Sequence, residues 1–435
     1  MLDVLKNRTY RHLFTAQVIA LIGTGLLTVA LGLLAYDLAG GQASAVLGTA
    51  LAIKMVAYVG VAPIVGAYAN RLPRRAFLVA MDLVRGGIAL SLPFVNQIWQ
   101  IYVLIFLLQS CSAAFTPMFQ ATIPDVLPEE KDYTRALSLS RLAYDTESLI
   151  SPALAAALLT VISYHGLFAG TVVGFLGSAA LVVSVQMPKQ ERSERKGGIY
   201  ENTTRGMRIY LSTPRLKGLL ALNLSVAAAG AMVIVNTVVM VRTVIGRSAS
   251  DVGWALAAFG FGSMLAAIVL PRLLDKTADR TVMLAAAWAL AAGLFVFSAF
   301  VNAPPSLLWP ILLGFWFAFG IGYSAIETPA GRLLKRSASS ADRPAVFAAQ
   351  FALSHACWLI SYPVAGWLGA QAGMRVALLA LGAITVVGAV IGWRVWPKDD
   401  PDVVDHEHDD GSTHAHPFVI DDDHRRWPKS KTAPN

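Results

Sequence analysis

The sequence predicts an all-α membrane protein whose twelve transmembrane helices form two pseudo-symmetric bundles of six. Three observations carry that prediction. Windows of about 20 residues pick out twelve apolar stretches, most of them long enough to cross a hydrocarbon core of roughly 30 Å as a helix. The chain of 435 residues is 56% hydrophobic and 14% charged, which leaves too little polar surface to cover a water-soluble globule. Corresponding hairpins in the two halves carry related sequences, as set out below.

The first stretch, 12–36, follows Lys6, Arg8 and Arg11 and runs apolar from Leu13 to Ala35 without a cleavage site, so it reads as a retained helix rather than a signal peptide. The others fall at 45–69, 76–96, 99–121, 138–163, 166–187, 217–241, 252–271, 281–301, 306–328, 345–369 and 374–396. The hydrophilic connection at 188–216 is the longest and divides them into an N-terminal bundle, 1–187, and a C-terminal bundle, 217–397; residues 398–435 form a tail. An even number of spans puts both termini on one side. Lys and Arg gather in the even-numbered loops, at Arg71, Arg74 and Arg75, at Lys189 to Lys217, at Arg272, Lys276 and Arg280, and at Arg332 to Arg343. The opposite loops offer little beyond Arg242, Arg247 and Arg375, so both termini are expected in the cytoplasm, across a bacterial inner membrane. The net charge of +8 is spread in these short groups and gives no nucleic-acid-binding face. Cys111 and Cys357 both lie in apolar stretches, and no disulfide framework is indicated.

Two matches support internal duplication. Gly66-Ala-Tyr-Ala-Asn70-Arg71-Leu-Pro73-Arg74-Arg75 follows the second span, and Pro271-Arg-Leu-Leu-Asp275-Lys276-Thr-Ala-Asp279-Arg280 follows the eighth. Leu149-Ile150-Ser151 in the fifth span lies 210 positions before Leu359-Ile360-Ser361 in the eleventh. With these motifs the chain resembles the major facilitator superfamily over about residues 5–397, whose signature after the second helix reads Gly-x-x-x-Asp-Arg-x-Gly-Arg-Arg. Gly66, Arg71, Arg74 and Arg75 match it; Asn70 and Pro73 depart from it. Asp275, Lys276 and Arg280 keep the charges in the second copy. The resemblance implies a charge-based cytoplasmic latch at these positions and alternating access around a central site. Pro124-Asp125-Val126-Leu127-Pro128-Glu129-Glu130 is similar to the drug-efflux branch.

An ionisable group inside a span costs about 2.5–3.5 kcal/mol on insertion scales and needs a reason. The fifth span holds Arg141, Asp145 and Glu147, and the 210-residue offset aligns Asp145 and Glu147 with His355 and Cys357 in the eleventh. Carboxylate, imidazole and thiolate together suit a transition metal. Residues two apart on a helix point about 200° from one another, so one member of each pair is expected in a shared cavity. Asp145 has an alternative as the ion partner of Arg141 one turn away, His355 as an interior histidine, and Cys357 as a packing residue. Glu327, before Thr328-Pro329, reads as a gate or as a partner of Arg332. Asp82 and Arg85 read as a structural pair.

The tail holds five of the eight histidines, His406, His408, His414, His416 and His424, among carboxylates. Its composition is that of a disordered, metal-chelating segment. Such a tail resembles the nickel and cobalt resistance exporters of the superfamily. The combined expectation is a monomeric, proton-coupled exporter of a divalent transition metal, nickel ahead of cobalt, with protons and metal as the transported species and lipid as its surroundings. No cofactor is expected and no catalysis, and no Gly-x-x-x-x-Gly-Lys-Ser/Thr phosphate loop is present for an ATP-driven pump. The rival readings are a drug exporter, a siderophore carrier and a membrane-bound metal sensor.

Overall fold

The computed structural model describes residues 2–68, 73–187, 199–339, 342–400, 403–407, 413–417, 419–420 and 427. Six helices form the first bundle: α1 (Arg8–Ala39), α2 (Ala43–Tyr68), α3 (Arg74–Ser91), α4 (Ile98–Val126), α5 (Glu130–Leu158) and α6 (Tyr164–Val183). A short helix, α7 (Ile199–Ser212), lies in the connection. Six more form the second bundle: α8 (Pro214–Val239), α9 (Ala249–Leu274), α10 (Asp279–Phe300), α11 (Pro305–Arg336), α12 (Arg343–Gln371) and α13 (Met374–Val395). The twelve expected spans are thus α1–α6 and α8–α13.

Local chemistry sets the boundaries. The Asn7 side chain accepts a hydrogen bond from the Tyr10 amide, 3.1 Å away, and so caps α1. The Gln100 side chain accepts from the amides of Asn96 and Gln97, each at 3.0 Å, at the start of α4. Gly373, with φ 88°, supplies the left-handed residue that lets α13 start two residues after α12 ends. Several helices outrun their apolar spans. α5 begins at Glu130, eight residues earlier than hydropathy suggests, because Asp132 and Arg135 pair at 3.1 Å on its first turns and favour helix in polar surroundings. α7 is amphipathic and buries Ile209 and Tyr210 against α12, so the connection is partly ordered.

The same packing occurs twice. In the first bundle α1 packs on α6 and α5, α2 on α4, and α3 on α6; in the second α8 packs on α13 and α12, α9 on α11, and α10 on α13. Span for span these are equivalent contacts, the structural counterpart of the sequence repeat. Small residues allow the closest approaches. A Cβ on Gly174 of α6 would lie 3.0 Å from the Ile19 carbonyl of α1, and Gly262 of α9 and Gly320 of α11 each abut the other helix's backbone. Uncharged polar groups join helices inside the second bundle: Trp316 Nε1 donates to Thr237 Oγ1 at 2.7 Å, and Asn236 donates to the Ala365 carbonyl at 3.1 Å.

The bundles meet along α2–α12 and α5–α9. Described contacts between them cluster at the end remote from the termini. Gln42 donates to the Ala370 carbonyl at 3.3 Å, Trp367 Nε1 to Thr49 Oγ1 at 3.1 Å, and Thr243 Oγ1 to the Tyr36 hydroxyl at 3.3 Å. There a Cβ on Gly48 would fall 2.9 Å from the Gly366 Cα, and one on Gly253 only 2.6 Å from the Ala156 Cα. That end is closed.

The tail is not wholly unstructured, contrary to its composition. β1 (Val403–Glu407) and β2 (Thr413–Pro417) form an antiparallel ribbon, with His406 opposite His414 and Val404 opposite His416. Around the ribbon the chain is tied to the body. The Asp400 carboxylate accepts from Arg336 at 2.7 Å and from Trp396 Nε1 at 3.1 Å, and lies 3.3 Å from Arg215 Nε. Trp427 stacks over the Arg215 guanidinium at 4.9 Å, and Ile420 is 2% exposed.

Candidate functional site

α5 cannot be a lipid-facing helix, because its first two thirds carry Glu130, Lys131, Asp132, Arg135, Arg141, Asp145 and Glu147. It is packed between α1 and α9. Glu147 is pressed against α1 where that helix has no side chain: a Cβ at Gly25 would collide with Glu147 Oε1 and Ser151 Oγ. Through space the carboxylate faces the ammonium of Lys54 on α2, and the two interact electrostatically without a direct ion pair among the described residues.

One turn beyond Lys54, Tyr58 carries the cluster across to the second bundle. The Lys54 Nζ lies 5.8 Å from the centre of the Tyr58 ring. That ring stacks on the His355 imidazole of α12, with centroids 5.3 Å apart and planes within 5°. Phe351 completes the wall, 5.9 Å from Tyr58 and 4.0 Å from His355. His355 Nδ1 is 2.6 Å from the Phe351 carbonyl oxygen. A carbonyl only accepts, so Nδ1 carries the proton, and in the neutral ring Nε2 keeps its lone pair. An acid, a base, a phenol and an imidazole thus meet in the middle of the molecule, on α5, α2 and α12.

Sequence reasoning named two of these four, Glu147 and His355, and missed Lys54 and Tyr58. Lys54 was legible, being a lone lysine among Leu51, Ala52, Ile53 and Met55 in the middle of an apolar span. The structure separates Cys357 from His355, as the helical angle requires. Cys357 Sγ turns into the second bundle, 3.9 Å from the Leu220 carbonyl of α8. Glu327 acts electrostatically on Cys357 and Tyr210. It does not take Arg332, which pairs instead with Asp279. The side chains of Arg141, Asp145, His406, His414 and His416 lie outside the described residues, as do residues Asn70, Arg71, His408 and His424 and the surroundings of Gly66. Among the described residues no three His, Cys, Asp or Glu side chains are grouped to hold a metal ion; Asp145, expected as a ligand beside His355, Cys357 and Glu147, lies outside them.

The signature arginines act within the first bundle: Arg74 pairs with Asp125 of α4, and Arg75 donates to the Val183 carbonyl at the end of α6. In the second copy Arg280 clamps the exit of α13, donating to the carbonyls of Trp396 at 2.8 Å and Trp393 at 2.9 Å. Asp82 and Arg85 form the expected pair on α3. Ser178 donates to Asp82 at 2.7 Å, and the Arg85 guanidinium lies 4.5 Å from each of the Phe115 and Phe175 rings.

Two repeated six-helix bundles, closed at one end and meeting at a buried charged cluster, have the architecture of a multi-pass membrane carrier. The chain belongs to the Major Facilitator Superfamily, whose sequence profile matches residues 13–246 and 219–420, one match for each bundle. Similar proteins include an uncharacterised transporter of this type, YfiS, from Bacillus subtilis (strain 168), 25% identical over 48% of this chain and 51% of its own length. Macrolide efflux protein A of Streptococcus pyogenes is 25% identical over 48% of this chain and 52% of its own length. The chain spans about half the length of these curated relatives, by 51% and 52%. Another B. subtilis transporter, YvqJ, is 22% identical over 91% of this chain and 94% of its own length. Among solved structures, a bacterial homologue of the human lysosomal transporter Spinster, inward-facing and unoccupied, superposes with a TM-score of 0.68 at 14% identity, covering 89% of this chain and 97% of that one. A D-xylose–proton symporter gives 0.64 at 15% identity, covering 91% and 98%. These likenesses share the fold. The protein is a multi-pass membrane transporter.

Proposed function

We propose that this transporter exports amphipathic organic compounds, of which a macrolide is one, in exchange for protons at Glu147. The observation that carries the reading is the Glu147–Lys54 pair of charges beside the aromatic wall of Tyr58, His355 and Phe351, at the junction of the two bundles. An amphipathic molecule needs flat apolar contact, which the wall offers, and proton exchange needs a titrating carboxylate shielded from bulk water, which Glu147 supplies. With both termini in the cytoplasm, closure at the remote end makes this the inward-facing state. Substrate then enters from the cytoplasm with Glu147 ionised and balanced by Lys54. After the bundles rock outward, an external proton neutralises Glu147 and is carried inward on the return stroke. The similarity to macrolide efflux protein A supports an organic cargo.

Nickel or cobalt export has less behind it. Among the described residues a divalent cation at the centre would find too few ligands and the Lys54 ammonium beside it, and the ribbon that carries His406, His414 and His416 follows α13 in the chain. The test is efflux of a macrolide from vesicles driven by an imposed proton gradient. Glu147→Gln keeps the size of the side chain and removes its titration, and it is expected to abolish gradient-driven efflux while leaving exchange of labelled for unlabelled substrate. Gradient-driven efflux at the unaltered rate in that variant would refute the coupling role.

A further inference from the structure

In the coupling step just described Glu147 alone binds and releases the proton and Lys54 only balances its charge, yet a lysine in the middle of a span is costly to keep. Its surroundings show what it does. On α2 it interacts electrostatically with Glu147 of α5, it stands 5.8 Å from the Tyr58 ring, and it acts electrostatically on His355 across the junction. It therefore borders the same aromatic wall that would hold the cargo, at a distance where its charge is felt by anything on that wall. No described acid forms a direct ion pair with it, so its field is not confined to one partner.

We infer that Lys54 sets the charge of the compounds this carrier accepts. The inference rests on reading the central cluster as the substrate site. With Lys54 and Glu147 both charged, the described part of the cluster carries one positive and one negative group and favours neutral or zwitterionic amphiphiles. Removing the lysine leaves the carboxylate uncompensated and opens the site to lipophilic cations. Removing the carboxylate leaves the lysine uncompensated and opens it to lipophilic anions. Lys54 also weighs against multivalent cations, since repulsion grows with the charge of the guest.

The experiment uses two ions of nearly the same shape and opposite charge, tetraphenylphosphonium and tetraphenylborate. Their affinities for the purified full-length protein are measured by titration calorimetry in one detergent at one neutral pH, and each variant's cation-to-anion affinity ratio is divided by that of the wild type, so partition into the micelle cancels. Lys54→Met is expected to raise the ratio about tenfold or more, and Glu147→Gln to lower it by a similar factor. Lys54→Arg should leave it unchanged, and the double variant Lys54→Met/Glu147→Gln should return it close to the wild-type value. A monodisperse elution profile identifies the variants that fold. If Glu147→Gln shifts the ratio and Lys54→Met does not, the role given to Lys54 is wrong while the site stands. If neither moves it, the cluster does not bind these compounds, and the substrate site itself lies elsewhere. Should Lys54→Met fail to fold, Lys54→Gln offers the same loss of charge with a polar tip, and an unchanged ratio there overturns the inference equally.

Discussion

The two bundles are copies in packing and opposites in charge. The first keeps ionisable groups deep among its helices: Asp82 and Arg85 with side chains 0% and 5% exposed, Lys54, and Glu147. The second joins its interior with neutral groups, Thr237 to Trp316 and Asn236 to the Ala365 carbonyl, and places its described ion pairs at helix ends, Asp279 with Arg332 and Asp400 with Arg336 toward the termini and Arg247 with Asp251 at the remote end. Duplication thus preserved the frame while the interiors diverged. One half holds the charges to which the proposed coupling is assigned, and the other supplies Phe351 and His355 of the aromatic wall and the anchorage of the tail.

The largest effect that tests this contrast is on stability. Arg85→Met leaves the Asp82 carboxylate buried with only Ser178 as a described partner, and breaking a buried pair in this way costs about 3–5 kcal/mol. Arg332→Met removes a partner whose side chain is 48% exposed, and Asp279 stays at the first turn of α10, where the helix dipole favours an acid; the expected cost is about 1 kcal/mol or less. Half-lives of the monodisperse protein on heating should therefore separate the two variants widely. Equal half-lives would mean that the charges of the first bundle are no more deeply committed than those of the second.

The middle effect concerns the seam. Gly48 and Gly366 let α2 and α12 touch backbone to backbone at the closed end, where a Cβ on Gly366 would run into the Ser44 carbonyl and lie 3.0 Å from the Gly48 Cα. Gly366→Leu should drive the bundles apart there. With cysteines placed at Gln42 and Ala370, which are hydrogen-bonded across the seam at 3.3 Å, cross-linking yield should fall about tenfold, equivalent to a bias of about 1.4 kcal/mol. An undiminished yield would show that the two helices can part without opening the end.

Much of this frame was legible because lipid imposes a simple rule. Apolar length located the helices α1–α6 and α8–α13, and the repeat around Leu149 and Leu359 identified α5 and α12 as equivalent helices of the two bundles. Helix ends were less legible, since α5 and α11 continue as helix into polar surroundings where hydropathy no longer reports on conformation. The site was half legible. Glu147 and His355 stood out as charges in apolar sequence, and so did Lys54 once each span is searched for its own exceptions. Tyr58 did not, because an aromatic residue at helical spacing looks like core until the facing helix is known. Gly25 matters only through what presses on it. The metal expectation joined the histidine-rich tail to a pairing of residues by offset, and the offset aligned Glu147 with Cys357 without knowing that α12 turns that thiol toward Leu220.

The smallest effect belongs to the tail, and it separates anchorage from transport. Asp400 gathers Arg336, Arg215 and Trp396 at the end of α13, whereas the charged cluster of α2 and α5 lies in the other bundle. Asp400→Asn keeps a side-chain oxygen for the Trp396 indole and weakens only the charge-assisted contacts, and Arg215 retains the Trp427 ring 4.9 Å away. The change should cost about 1 kcal/mol locally, enough for roughly fivefold faster proteolysis between residues 400 and 420 under mild conditions. Gradient-driven efflux should stay within about twofold of wild type, because sites that far apart and sharing no partner contribute nearly independently. A large loss of efflux with the tail still protected would mean that Asp400 acts on the bundles themselves, and the division between a charged half and an anchoring half would have to be redrawn.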